Sequence, residues 1–245
     1  MTTFALIHGA WGTGWHWAGV PGEVRRMGHD VVAPDLPCED PTATFDDYAE
    51  VVLDALKETP GDDVVVVGFS LGGHTAALVA ARRPVRQLVY LAAMVPEPGV
   101  SLNDQFARGD RMLLPEYAAG VDGPDEYGFS RWVDFDVYYR TGCHDCQEPV
   151  ARERFERSRS QSNRPYRSPC SLSAKPDVPT RYIRCSEDRL MNNSFWRAAV
   201  RARLDTEPVE LPSSHSPMAS RPRELMPLLA AGISAEGSRG GASAA

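Results

Sequence analysis

Four consecutive valines, residues 64–67, run directly into Gly68-Phe69-Ser70-Leu71-Gly72, and an alanine-rich segment follows from 71 to 83. An apolar run this short and this β-branched reads as a strand buried on both faces of a parallel sheet. Parallel neighbours need a crossover, and the alanine-rich segment supplies it as a helix. The chain must therefore turn from strand to helix within a few residues, and glycines at 68 and 72 leave room where side chains would collide. A serine at the tip of such a turn is exposed, with the free N–H groups and positive dipole end of the following helix beside it. This context makes Ser70 the candidate nucleophile. A glycine-rich turn without chemistry needs neither the strand before it nor the helix after it.

The same alternation runs through most of the chain. Apolar runs at 4–8, 30–33, 88–93, 181–185 and 209–211 read as strands, and segments 15–27, 44–57, 194–203 and 221–231 as helices. Thr44 followed by Asp46 and Asp47 is a helix start. From about 96 to 176 the rhythm fails: the chain turns polar, aromatic and rich in Gly and Pro, with its best helix at 148–159. The expectation is an α/β fold, a mostly parallel sheet with helices on both faces. Its core is 1–95 and 177–233, and 96–176 is a helical cap insertion over the carboxyl ends of the strands, where ligands bind in such sheets. The Ser/Gly/Ala-rich end, 234–245, is expected to be disordered. A length of 245 residues suits one such domain.

A nucleophilic serine needs a base, a group to orient the base, and donors for the oxyanion. The strand at 181–185 is followed by Ser186-Glu187-Asp188, and the strand at 209–211 by Pro212-Ser213-Ser214-His215. Both lie at tips of successive strands beyond the insertion, which makes His215 the candidate base and Asp188 the candidate acid. Glu187 is the rival, and the shorter side chain of Asp188 suits a loop that fixes one imidazole tautomer. One oxyanion donor is expected from the N–H of Leu71, after the nucleophile. The other is expected from Ala10 in His8-Gly9-Ala10-Trp11, directly after the first strand. His8 comes too early for a base in this order and reads as a brace for its loop. His16, His29 and His74 read as surface or core residues, while His144, in the insertion, can reach over the site. Trp11, Tyr138 and His144 are the candidate substrate-binding residues. Phe106, Tyr117, Trp132, Phe135 and Tyr139 suggest an apolar acyl or aryl pocket, or packing beneath the cap. The insertion's arginines (Arg152, Arg154, Arg157, Arg159, Arg164 and Arg167) read as a solvated helix face paired with Glu153 and Glu156, unless one turns inward to a substrate carboxylate.

These motifs, from Phe4 to about Leu229, resemble the α/β-hydrolase superfamily, within it the small esterase and hydroxynitrile-lyase branch that includes plant methylesterases. The resemblance rests on residues 4–11, on Trp15-His16-Trp17, on Gly68-Phe69-Ser70-Leu71-Gly72-Gly73, on residues 182–188, and on His215 followed by Met218. It implies a Ser70–Asp188–His215 triad, an oxyanion hole at Ala10 and Leu71, a helical cap and no cofactor. The insertion departs from the plant enzymes, and its Tyr138-Tyr139 and His144-Asp145-Cys146 resemble caps of bacterial relatives. Three readings compete: hydrolysis of an ester, lactone or thioester; a lyase using the same triad; and a ligand-binding homologue without turnover. Hydroxynitrile lyases of this branch carry Thr where this chain has Gly9 and Lys where it has Ser216, and both differences favour the hydrolase.

A net charge of −7 gives no support to nucleic-acid binding. No apolar stretch approaches the roughly 18 residues of a membrane span, and no signal segment precedes the first strand. The expected setting is cytoplasmic, with a small-molecule ester as partner and a homodimer allowed for. Cys143 and Cys146 form a CxxC. No second pair stands at a zinc spacing, and no strand leads into it as in redox motifs, so free thiols are expected and no metal.

Overall fold

In the computed structural model, which describes residues 1–233, the chain first runs β1 (Thr3–Ile7), α1 (Val20–Arg26), β2 (Asp30–Val32), α2 (Phe45–Ala55), β3 (Val64–Phe69), α3 (Gly72–Arg82) and β4 (Gln87–Leu91). An insertion holds α4 (Leu102–Ala107), β5 (Val121–Asp122), β6 (Phe129–Trp132), α5 (Phe135–Gly142), α6 (Glu148–Glu156), β7 (Gln161–Ser162) and α7 (Arg164–Arg167). The chain then completes β8 (Thr180–Cys185), α8 (Asn193–Leu204), β9 (Val209–Leu211), α9 (Pro217–Ser220) and α10 (Pro222–Leu229). The segment expected to be disordered, 234–245, lies outside the described residues.

Six strands form one parallel sheet in the order β2-β1-β3-β4-β8-β9. Alternation along each strand sorts the core into two layers. Phe4, Leu6, Val65, Val67, Val89 and Leu91 pack with Val20 and Val24 of α1 and with Leu225, Met226 and Leu229 of α10. Ala5, Ile7, Val64, Val66, Leu88 and Tyr90 face the other way, against Tyr48 and Val52 of α2, Ala76 and Val79 of α3, and Trp196 of α8. Both faces of β3 are buried, which is why its sequence is unbroken valine rather than an alternation. The α2 start is a capping box: the Thr44 hydroxyl accepts from the Asp46 N–H at 3.2 Å, and Asp47 accepts from the Thr44 N–H at 2.8 Å.

From β1 the chain moves outward to β2 and returns to build β3 on the opposite side of β1. The carboxyl ends of β1 and β3 therefore flank a switch in strand order, the position at which open α/β sheets bind ligands. Two expectations change. The helix expected over 15–27 is broken into a 3₁₀ turn, Gly14–Trp17, and α1, because Pro21 is tolerated only in a first helical turn and so fixes a fresh start there. The insertion is not purely helical: β5, β6 and β7 form a small antiparallel sheet. Strands of two to four residues are too short to leave a periodic signal. Among the described residues no helix is long and apolar enough to cross a membrane.

Candidate active site

Ser70 has φ 54°, the left-handed region that non-glycine residues seldom occupy. β4 and the turn beyond it hold it there. The Ser70 N–H donates to the Leu91 carbonyl at 3.2 Å, and the Ser70 carbonyl accepts from Met94 at 2.9 Å and Gly73 at 3.2 Å. A Cβ on Gly72 would stand 2.5 Å from the His8 carbonyl oxygen, and one on Gly68 2.7 Å from that of Gly72. The glycines of the motif are thus required by backbone contact between β1, β3 and α3.

His215 and Asp188 meet across the loops after β9 and β8. The His215 Nδ1–H donates to Asp188 Oδ2 at 2.7 Å, and Asp188 Oδ1 accepts the amides of Leu190 at 2.8 Å and Met191 at 2.9 Å. Both residues are buried, while Glu187 is exposed. With Nδ1 carrying the proton, Nε2 is left as a base. The ring lies 4.7 Å, centroid to centroid, from Phe69, next to Ser70. The insertion grips the same loop: Asp145 Oδ2 accepts the Ser214 N–H at 3.1 Å, the Gly142 carbonyl accepts the Ser214 hydroxyl at 3.2 Å, and the Cys143 thiol donates to Ser216 Oγ at 3.4 Å.

The loop after β1 is braced from two sides. His8 Nδ1–H donates to the Gly9 carbonyl at 2.8 Å, and Nε2 accepts the Leu36 N–H at 3.0 Å. Burial lowers the His8 pKa to about 4, so the ring is neutral near pH 7. Arg159 reaches over from the insertion, donating from Nε to the Gly12 carbonyl at 3.1 Å and from a terminal nitrogen to that of Leu36 at 2.7 Å. Among the described residues, the amides of Ala10 and Leu71 have no protein acceptor, and both residues line a cavity with Ser70.

Ser70 stands where two cavities meet. A smaller one, about 60 Å³, is lined by Ser70, His215, Trp132, Tyr138 and Arg154 among others. A larger one, about 290 Å³, is walled by Leu71, Met94, Phe106, Leu113 and Tyr117. Ala10, Trp11, Ser70 and Leu190 border both. Of the three candidate substrate-binding residues, Trp11 lines both cavities and Tyr138 the smaller one, but His144 lines neither. It is half-buried, within reach of the charges of Arg189 and Asp188, and burial lowers its pKa. Phe135 and Tyr139 stack on each other, with Phe135 against Phe155, away from both cavities.

The insertion's arginines divide. Arg152 pairs with Glu148 and Arg157 with Glu153 on the solvent side of α6, whereas Arg154 is buried at 2% exposure and lines the smaller cavity. Its inward position was hidden by acidic neighbours, and the available signal was Ala151 three residues earlier on the same helical face. All five cysteines are unpaired and buried. Cys143 closes α5 rather than opening a helix. Among the described residues no group of three or more His, Cys, Asp or Glu side chains is placed to hold a metal ion.

The family model described as "Alpha/beta hydrolase family" matches residues 4–228. The carbendazim hydrolyzing esterase of Nocardioides sp. (strain SG-4G) is 35% identical over 132 residues, 50% of this chain and about half, 53%, of that protein. The polyneuridine aldehyde esterase of Rauvolfia serpentina is 24% identical over 247 residues, 91% of this chain and 92% of that one. The crystal structure of a pyrethroid hydrolase from Sphingobium faniae JZ-2 shares the fold, with a TM-score of 0.78 at 24% identity over 94% of this chain and 96% of its own. With strand order, turn motif and family match in agreement, the chain belongs to the α/β-hydrolase family.

Proposed function

We propose that the protein is a serine hydrolase that cleaves a carboxylic ester, or a lactone or thioester, of a small apolar or aromatic molecule through Ser70, His215 and Asp188. The observation that carries this reading is the 2.7 Å bond from His215 Nδ1 to a buried Asp188. It points a basic Nε2 into the cavity that holds a serine on a strand-to-helix turn. Ser70 Oγ attacks the carbonyl carbon as His215 takes its proton. The N–H groups of Ala10 and Leu71 meet the oxyanion. Collapse breaks the bond to the leaving oxygen, which receives the proton from His215. Water, deprotonated by the same imidazole, then releases the acid from Ser70. Relatives named as esterases support the reaction class.

The lyase reading finds less support. A Cβ at position 9 would stand 2.8 Å from the Ser70 Cβ, so the threonine of hydroxynitrile lyases does not fit this backbone. At position 216, where those enzymes have lysine, the serine hydroxyl is engaged by Cys143. The test is intact-protein mass spectrometry after fluorophosphonate treatment, with a short-chain p-nitrophenyl ester assay alongside. One adduct and ester turnover are expected in the wild type, with both absent in Ser70→Ala. An adduct without turnover on any ester would favour a lyase or a receptor, and absence of an adduct would overturn the nucleophile.

A further inference from the structure

Arg154 is a buried cation with no carboxylate partner. Its exposure is 2%, and among the described residues no Asp or Glu oxygen comes within ion-pair distance of it. One terminal nitrogen donates to the His16 carbonyl at 2.5 Å, and among the described residues Nε has no hydrogen-bond partner. A charge taken out of water is costly unless an opposite charge meets it. Arg154 is nevertheless held inside, on the wall of the cavity that contains Ser70 and His215. Its aliphatic and aromatic neighbours there, Trp132, Tyr138 and Met218, supply no anion. Near it stands Cys143, whose thiol is held below its usual value by the Cys146 thiol first and by the guanidinium after it. Cys143 borders neither cavity, so it leaves the cavity side of the cation unanswered.

The two cavities are also unequal in a way that assigns the two arms of an ester. A general acid must reach the leaving oxygen. His215, with Ser216 and Met218, lines only the smaller cavity, so the alcohol arm enters there. The acyl arm then takes the larger cavity, walled by Met94, Phe106, Leu113 and Tyr117, where the one arginine, Arg167, is exposed and so already met by water. About 60 Å³ holds roughly four to six water-sized groups, enough for a carboxymethyl arm and not for an aryl ring. We propose that Arg154 makes the smaller cavity a carboxylate subsite, and that the substrate is an apolar acyl ester of a short hydroxy acid. This rests on the hydrolase reading above. The ester C–O bond breaks as the bond to Ser70 Oγ forms, the serine proton passes through His215 to the hydroxy acid's oxygen, and water frees the apolar acid.

The experiment compares kcat/KM for the hexanoyl ester of glycolate with that for the hexanoyl ester of glycolamide, its neutral counterpart. In the wild type the glycolate ester is favoured by about ten- to a hundredfold, the range of one charge-assisted hydrogen bond. Arg154→Gln brings the ratio near one, and Arg154→Lys retains part of it. If Arg154→Gln fails to fold, inhibition of wild-type turnover by free glycolate but not by glycolamide tests the same claim. An indifferent wild type, or a preference that survives Arg154→Gln, overturns the subsite while leaving the hydrolase standing. So does a variant that changes only the ultraviolet thiolate absorbance of Cys143, since the cation then serves the thiol alone. No turnover of either ester, with no fluorophosphonate adduct, removes the hydrolase reading and this inference together.

Discussion

Asp188 fixes His215 through both of its oxygens. Oδ2 takes the imidazole proton, while Oδ1 is tied to the amides of Leu190 and Met191, so the carboxylate has no freedom to turn. An asparagine in that place offers the histidine an N–H or the wrong tautomer. Asp188→Asn is expected to lower kcat on the order of 10⁴-fold while the unfolding temperature moves little. Glu187→Gln, at an exposed position, is expected to leave kcat as it is. Steady-state kinetics on both variants decides between the two carboxylates, and the reverse pattern would reassign the acid. Ser70, Asp188 and His215 were legible in the sequence because each follows a strand, and a strand's end is where such folds expose side chains. Arg154 was not. Its contact with His16 joins residues 138 apart, and a charged residue on a helix with glutamates around it carries the pattern of a solvent-facing one.

The turn from Gly142 to Cys146 shows what the insertion does besides forming a wall. It bonds the residues on both sides of His215, Ser214 through Asp145 and Gly142, and Ser216 through Cys143. Asp145 also lies 3.5 Å from Arg221, at the start of α10. Asp145 is therefore a positioning residue, acting on the imidazole through the loop that carries it. Removing an ionised acceptor from a buried amide costs about 1.5–3 kcal/mol, part of which appears as a displaced ring. Asp145→Ala is expected to lower kcat by about tenfold with KM within about twofold, and Asp145→Asn, which keeps an acceptor oxygen, to recover most of the loss. A loss confined to KM, or no rescue by asparagine, would give the residue a purely structural role. The elements themselves were readable to unequal degrees. The central strands β1, β3 and β4 announced themselves because burial on both faces demands nearly unbroken apolar residues. The strands of the insertion are short, and Phe129–Trp132, with only Trp132 buried, gives composition no such demand to meet.

Across the whole molecule, the order of the sheet is what tertiary packing added to a sequence that showed only alternating strands and helices. That packing also traps three histidines. His8 brackets the first loop, His16 donates to the Arg154 carbonyl, and His74 stacks on Phe45 at 4.6 Å with neither ring nitrogen bonded. Burial lowers their pKa values from 6.5 to about 4, 3 and 3 respectively. Below pH 6.5 the unfolded chain binds protons that the folded chain excludes, so stability falls as pH falls and is fully present only above that value. Between pH 6.5 and 5.5, above the range of ordinary carboxylates, each histidine removes about 1 kcal/mol and the three about 3 kcal/mol. His29 and His144, also lowered by burial, act in the same direction. Against a typical stability of about 5–15 kcal/mol, that is a large fraction. Urea unfolding at half-unit steps of pH measures it, and His74→Phe isolates one contribution, since phenylalanine keeps the stack on Phe45 and carries no titrating group. The variant is expected to flatten the slope between pH 6.5 and 5.5 by about a quarter, less than a third because His29 and His144 also contribute. A slope unchanged by His74→Phe would mean that His74 takes up its proton in the folded state, and that its burial does not set the acid limit of this fold.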